Sequence, residues 1–281
     1  PEMRRLSPAI SQRIAMGILW LLTLATIAVL FYIVFYILIK GLPYITWEFL
    51  SSAPKSMGRK GGIFPMIVGT FLVSGLAVLI AAPLGVGTAV YLTEYTRESR
   101  FTFLLRFGAD CLAGIPSIIY GLFGFVFFSI ALGMGLSVLS GALTLALMVL
   151  PTIIRTAEEA IRAVPYAYRE ASYGLGSTRW QMVTRIVLPV ALPGICTGIV
   201  LSLGRSISET AAVMLTAGSA LRLPQSAFDS SRTLALHFYI LSREGLSMEK
   251  GYATASVLII IILVLNAFAY WLMRRFIRRA Y

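Results

Sequence analysis

Residues 111–154 read CLAGIPSIIYGLFGFVFFSIALGMGLSVLSGALTLALMVLPTII, 44 residues without a charged side chain. A helix needs roughly 20 apolar residues, at about 1.5 Å each, to cross a bilayer. This run is long enough for two crossings, with Gly133-Met134-Gly135 as the break between them. Outward from it, Ile14 to Ile39 and Gly61 to Thr93 also carry no charge, and Ile186 to Gly204 and Gly251 to Met273 complete the set. In hydrocarbon the backbone must satisfy its own hydrogen bonds, and these runs have helical length, not the ten-residue alternation of a barrel. The sequence therefore predicts an all-α polytopic membrane protein: one transmembrane domain over 1–281, with six spans at about 14–39, 63–93, 107–132, 136–154, 190–217 and 251–273.

Composition agrees, since 58% hydrophobic with 13% charged residues is not the balance of a soluble domain. A net charge of +12 would point to nucleic acid in a soluble protein, but its placement argues for a membrane and against a nucleic-acid partner. Six spans put the N-terminus, the 94–110 loop, the 155–189 loop and the C-terminus on one side, with fifteen Lys and Arg against eight on the other. The positive-inside rule then places both termini in the cytoplasm, and the terminal RRFIRRAY, 274–281, reads as a headgroup anchor for membrane lipid. The first apolar run lacks a small-residue cleavage pattern and reads as a retained span. Cys111 and Cys196 fall in apolar runs and His237 is the single histidine, which argues against a disulfide framework or a metal site. No nucleophile and base pair stands in the spans, so no catalytic residue is expected.

Pro83, Gly85 and Gly87 in the second run and Pro116 in the third predict kinks or close packing. Gly194, Gly198, Ser202 and Ser206 recur at every fourth position, a smooth stripe for helix packing. In the outside segment 217–250, RTLALHFYILSR (232–243) is expected to form an amphipathic helix on the membrane surface or a docking surface for an external partner.

The most polar stretch amid these runs is YREASYGLGSTRWQMVTRIVLP, 168–189. Its reading is helix, glycine turn, helix: Gly174 and Gly176 interrupt, Thr178 with Gln181 forms a capping box, and Pro189 and Pro193 sit at the start of the fifth span. Glu170-Ala171-Ser172, three residues, Gly176, nine residues, Ile186, one residue, Leu188-Pro189 fits the E-A-A-x3-G-x9-I-x-L-P pattern of ABC importer permeases, with Ser172 for the last alanine. GGIFPMIVGTF, APLGVGTAVYLTEY, LAGIPSIIYGLFGF, LPTIIRTAEEAIRAVP and GRSISETAAVML, together covering most of 61–217, resemble the phosphate-specific permeases, the PstA family and its paralogue PstC. Ser208 departs from the glycine usual there.

The resemblance implies an ABC importer type I permease fold in which 155–189 is the loop that couples to a cytoplasmic ATPase. It implies a second, PstC-like permease subunit, two copies of a PstB-like ATPase and an extracytoplasmic PstS-like phosphate-binding protein, with transport by alternating access. The chain has no G-x-x-x-x-G-K-[ST] loop, so ATP and Mg would be bound by the ATPase partner and this chain would not be an enzyme. A permease for molybdate or sulfate would carry the same loop. An ion-coupled secondary transporter, the reading from another class, would show an inverted repeat, and none stands out.

Arg205 and Glu209 lie within the fifth span at i, i+4, where each would cost roughly 2.5–3.5 kcal/mol facing lipid. They are expected to face the interior and to share a face, either as a structural ion pair or as contacts on an anion path, with Ser206 and Thr210 adding hydroxyl donors. Asp110 reads as an interfacial or cap residue and Arg155 as an anchor.

Overall fold

A computed structural model describes residues 8–97 and 99–280, apart from the side chains of 8, 10, 272 and 276–280. Arg4, Arg5 and the side chains of Arg278 and Arg279, four of the fifteen basic groups counted above, lie outside the described residues. Helix α1, Pro8–Gly41, leads through the short α2, Trp47–Ser51, and a two-residue β ladder, β1 Pro54–Lys55 with β2 Lys60–Gly61, into α3, Phe64–Val90. Thr46 caps α2 and Pro65 opens α3, where a missing N–H leaves nothing unpaired. A wide turn over Tyr91–Tyr95 extends α3.

The third span expected at 107–132 is two limbs. Helix α4, Arg100–Ala113, is capped by the Ser99 hydroxyl and ends at Gly114; α5, Ser117–Gly124, widens into a π turn through Ala131. The limbs meet at 100°. Pro116 turns the chain at that corner, and the carbonyl of Leu112, which Pro116 cannot bond, accepts the Ile115 N–H at 3.1 Å and the Tyr120 hydroxyl at 2.8 Å. Next come α6, Val138–Arg162, α7, Tyr166–Gly174, α8, Arg179–Met182, and α9, Leu188–Ser208. The fifth span is also interrupted: α9 stops at Glu209, which is extended at φ −73° and ψ 131°, and α10, Ala211–Thr216, follows. Helix α11, Leu234–Arg243, and α12, Met248–Ala280, complete the chain.

Packing fixes the directions of these helices. A Cβ on Gly85 of α3 would meet Ile153 of α6, and further along, Arg106 reaches both the Leu92 carbonyl and Glu158. Helices α3 and α6 therefore run parallel, so the chain between them, limbs α4 and α5, must return across the bilayer once. Gly194 and Gly198 of α9 lie against Ala160 and Thr156 of α6 so closely that a Cβ would overlap them. The small-residue stripe thus packs on α6, antiparallel to it. Thr197 of α9 approaches Met273 of α12 at 3.6 Å, and Ser256 of α12 donates to Ile37 of α1 at 3.0 Å. Helix α12 thus returns to the face where α9 begins, and α1 starts there. Among the described residues five helices are long and apolar enough to cross alone, and the bent pair, counted as one span, brings the number to six.

The central core joins α3, α5, α6 and α10 around Val73, Ala77, Leu145, Met148 and Val213. A second cluster around Ile161, Val164, Met182 and Val187 seats the α7–α8 hairpin against α6. A third, at the opposite face, packs Phe49, Ile63, Met66 and Leu234. Helix α11 does not lie on a membrane surface: Leu234, Leu236, His237 and Leu241 are fully buried, and the Leu234 N–H donates to Thr70 Oγ1 of α3 at 2.9 Å. The apolar side of the 232–243 stretch is satisfied by its own protein. Beside it buried Arg232 donates to the Ser219 carbonyl at 2.9 Å and lies 3.4 Å from His237 Nδ1.

Candidate coupling face and membrane path

Helix α7 ends at a turn whose Gly176 has φ +79°, with no atom within 4 Å of where a Cβ would stand. The backbone, not crowding, favours glycine there. The Gly176 N–H donates to Tyr173 O at 2.9 Å, Ser172 and Ser177 hydroxyls bond each other, and Ser177 Oγ donates to the Ser172 carbonyl at 2.8 Å. Ser172, the departure from the permease pattern, thereby latches the turn. Helix α8 opens with the expected capping box, Thr178 N–H to Gln181 Oε1 at 2.9 Å and Gln181 N–H to Thr178 Oγ1 at 3.3 Å. It does not stop before the fifth span. Helical backbone runs unbroken from Arg179 to Ser208, so Pro189 and Pro193 are interior, not initial. The wide turn Val183–Val187 just before Pro189 gives its ring room and spares it the N–H it lacks.

The hairpin has two sides. Tyr166, Tyr168, Tyr173, Leu175 and Trp180 are exposed, Leu175 at 89%, and Glu170 and Ala171 are exposed with them. Ile186 and Leu188 are half-buried and Pro189 exposed where the hairpin joins α9. On the inner side, Arg169 donates through Nε and Nη2 to Glu94 at 3.2 and 2.7 Å, through Nη2 to the Ile161 carbonyl at 3.0 Å, and through Nη1 to the Val164 carbonyl at 2.7 Å. Arg106 and Arg162 both pair with the buried Glu158, at 2.7 and 2.9 Å. A cavity of ≈ 520 Å³ is walled by Glu94, Arg106, Arg162, Pro165, Tyr166 and Arg169. Sequence reasoning missed this network because Glu94 and Arg169 are 75 positions apart. The available signal was that Glu94 and Glu158 are acids at the ends of apolar runs on the arginine-rich face. Asp110 and Arg155, read separately as interfacial, form an ion pair at 3.2 Å.

Of the four residues expected on a membrane path, Ser206 is buried with its hydroxyl unpartnered among the described residues, Arg205 is exposed, and Glu209 and Thr210 are half-buried. Arg205 and Glu209 are not brought together. The helix ends between them, no ion pair joins them among the described residues, and Glu209 Oε1 accepts the Ala212 N–H at 3.3 Å, capping α10. Arg205 instead stands within electrostatic reach of Tyr120, at the corner of the bent pair. Ser202 of α9 and Ser74 of α3 carry further buried hydroxyls without partners among the described residues.

Residues 81–280 match the family profile described as "Binding-protein-dependent transport system inner membrane component". The chain is 33% identical over 279 residues to the probable ABC transporter permease protein YqgI of Bacillus subtilis, covering 94% of this chain and 95% of that protein. It is 32% identical to the phosphate transport system permease protein PstA of Pasteurella multocida, covering 89% and 91%. A permease PstA 1 of Mycobacterium tuberculosis is 38% identical over 73% of this chain and 68% of its own. Among solved structures, a bacterial alginate ABC transporter in complex with its periplasmic protein superposes with a TM-score of 0.68 at 18% identity, covering 97% of this chain and 98% of that chain. The inward-facing MetNI methionine ABC transporter gives 0.60 at 21%, covering 76% and 94%. The fold is that of type I ABC importer permeases, and the chain belongs to the family of binding-protein-dependent transport system inner membrane components, multi-pass proteins of the inner membrane.

Proposed function

We propose that this chain is the PstA-like permease subunit of an ATP-driven importer of inorganic phosphate. The observation that carries this reading is the α7–α8 hairpin, fixed to the helix ends by Arg169 yet presenting Tyr166, Tyr168, Tyr173, Leu175 and Trp180 outward. Rigid aromatic anchors on a fixed support are what a protein interface needs, and the chain holds no phosphate loop of its own. A PstB-like ATPase dimer, carrying ATP and Mg, docks on Glu170, Ala171 and the exposed rings. A PstC-like subunit completes the transmembrane cavity, and a PstS-like binding protein delivers phosphate at the opposite face. Phosphate as substrate is supported by the relatives named as phosphate permeases at 32–38% identity. The hairpin and both termini lie in the cytoplasm.

Closure of the ATPase dimer pushes the hairpins and changes the side to which the cavity opens. For coupling to occur, phosphate must bind the two states unequally. Arg205, with Ser206, Glu209 and Thr210 around the α9–α10 break, lines the path, its planar guanidinium suited to two phosphate oxygens. Reconstitution of the chain with a PstC-like subunit, ATPase and binding protein in vesicles tests the reading. Radiolabelled phosphate should accumulate only with ATP, and excess sulfate or molybdate should not compete. Accumulation of either of those in preference to phosphate would make this a permease for a different oxyanion.

A further inference from the structure

The Glu94–Arg169 pair does more than hold a loop. Four of the five N–H groups of Arg169 are used, and they tie its own helix α7 to two others. Glu94 belongs to the wide turn that ends α3. The Ile161 carbonyl belongs to the last turn of α6, where it also accepts the Val164 N–H at 3.2 Å, and the Val164 carbonyl lies two residues past that helix. Arg169 itself is the fourth residue of α7. Side-chain exposures of 13% for Arg169 and 7% for Glu94 put the pair largely out of water, where a missing partner leaves a costly lone charge. The outer face of α7, one helix diameter away, is the exposed aromatic surface.

We infer that Arg169 is the positioning residue that makes the end of α3, the end of α6 and the coupling helix α7 move as one body, so that a push on α7 is delivered to the two most closely packed spans. This rests on the proposed docking of an ATPase at α7. A bidentate fork held on both sides resists rotation, whereas a lysine ammonium is a point charge on a flexible stem. The neighbouring Glu158, shared by Arg106 of α4 and Arg162 of α6, extends the same body to α4.

The test uses the assembled complex in vesicles with Arg169→Lys, which keeps the charge, and Glu94→Gln, which keeps the shape. Spin labels at Tyr91 on the α3 end and Leu175 on the hairpin, with Cys111 and Cys196 replaced by alanine, report the distance between the two elements with and without ATP. Both variants should assemble with the ATPase and hydrolyse ATP, give a broader distance distribution than the parent, and move at least about fivefold less phosphate per ATP. A distribution or a transport ratio equal to the parent's in either variant overturns the inference. So does failure of Arg169→Lys to assemble, which would make the pair a folding element only. The distance measurement needs no substrate: a parent complex that moves no phosphate refutes the substrate reading, and the label distances alone still decide the joint.

Discussion

At the scale of single residues, two side chains behave differently from what their types suggest. Arg205 in a span would ordinarily need a carboxylate, but Glu209 caps α10 instead, so removing Arg205 leaves no buried acid stranded. Arg205→Gln should therefore assemble with the ATPase and keep its melting temperature within about 2 °C, as for a surface change, while phosphate uptake falls at least about tenfold. Normal uptake in a well-assembled variant would remove Arg205 from the path. His237 is held neutral, its pKa lowered from 6.5 to about 3, first by burial and then by Arg232 beside it. Arg232 is lowered by the same burial and partly offset by Glu244. Because the folded state binds fewer protons than the unfolded one between those values, stability is intact above pH 6.5 and falls as pH drops toward 3. Well inside that window each pH unit removes up to ~1.4 kcal/mol, about 3–5 °C in melting temperature. His237→Gln, measured by thermal unfolding from pH 7 to 4.5, should flatten that slope; an unchanged slope would locate the acid sensitivity elsewhere. The sequence placed His237 and Arg232 in a surface helix, because polar and apolar residues alternate there in a way that suits a lipid headgroup layer as well as a protein lid.

Among the elements, the hairpin was the most legible, since a capping box and a left-handed glycine are local features that need no knowledge of the rest of the chain. Gly176 at φ +79° with open space around it separates backbone from crowding. Gly176→Asn, which tolerates that conformation, should keep transport coupled to ATP. Gly176→Val should not, because a β-branched residue there costs ~1–2 kcal/mol and refolds the turn. Equal transport per ATP in the two variants, measured in vesicles, would remove the turn geometry from the mechanism. The interruptions of the spans were the least legible. Pro116, read as a kink or packing site, does mark the break in the third span, but an apolar run does not tell that its helix bends by 100°, and Glu209 was read as a span residue, not as a break. Pro189 was misplaced for the converse reason: a wide turn absorbs a proline that would otherwise mark a helix start. The partner of the Gly194–Ser206 stripe and the Glu94–Arg169 joint are contacts between distant segments, which one-dimensional periodicity does not encode.

For the whole molecule, parallel α3 and α6, antiparallel α9, and α12 returning beside α9 place the start of α1, the end of α12 and the hairpin at one face. A cysteine at Leu175 should be shielded from an impermeant thiol reagent added outside cells, while one at Ser226, whose neighbour Ala227 pairs with the start of α6, should react. The opposite pattern would invert the orientation. That the chain is a helical membrane protein was readable from composition and run length alone; how its helices are arranged was not, because helices of similar hydropathy carry no label for their neighbours. The bent third crossing has a consequence of its own. Its limbs hold 14 and 15 residues, so the longer is about 22 Å at 1.5 Å per residue, some 8 Å short of a typical hydrocarbon layer of ~30 Å. A shortfall of that size is taken up by a thinner bilayer around this limb or by a partner covering it, so phosphate uptake in vesicles is expected to be higher in short-chain than in long-chain lipids.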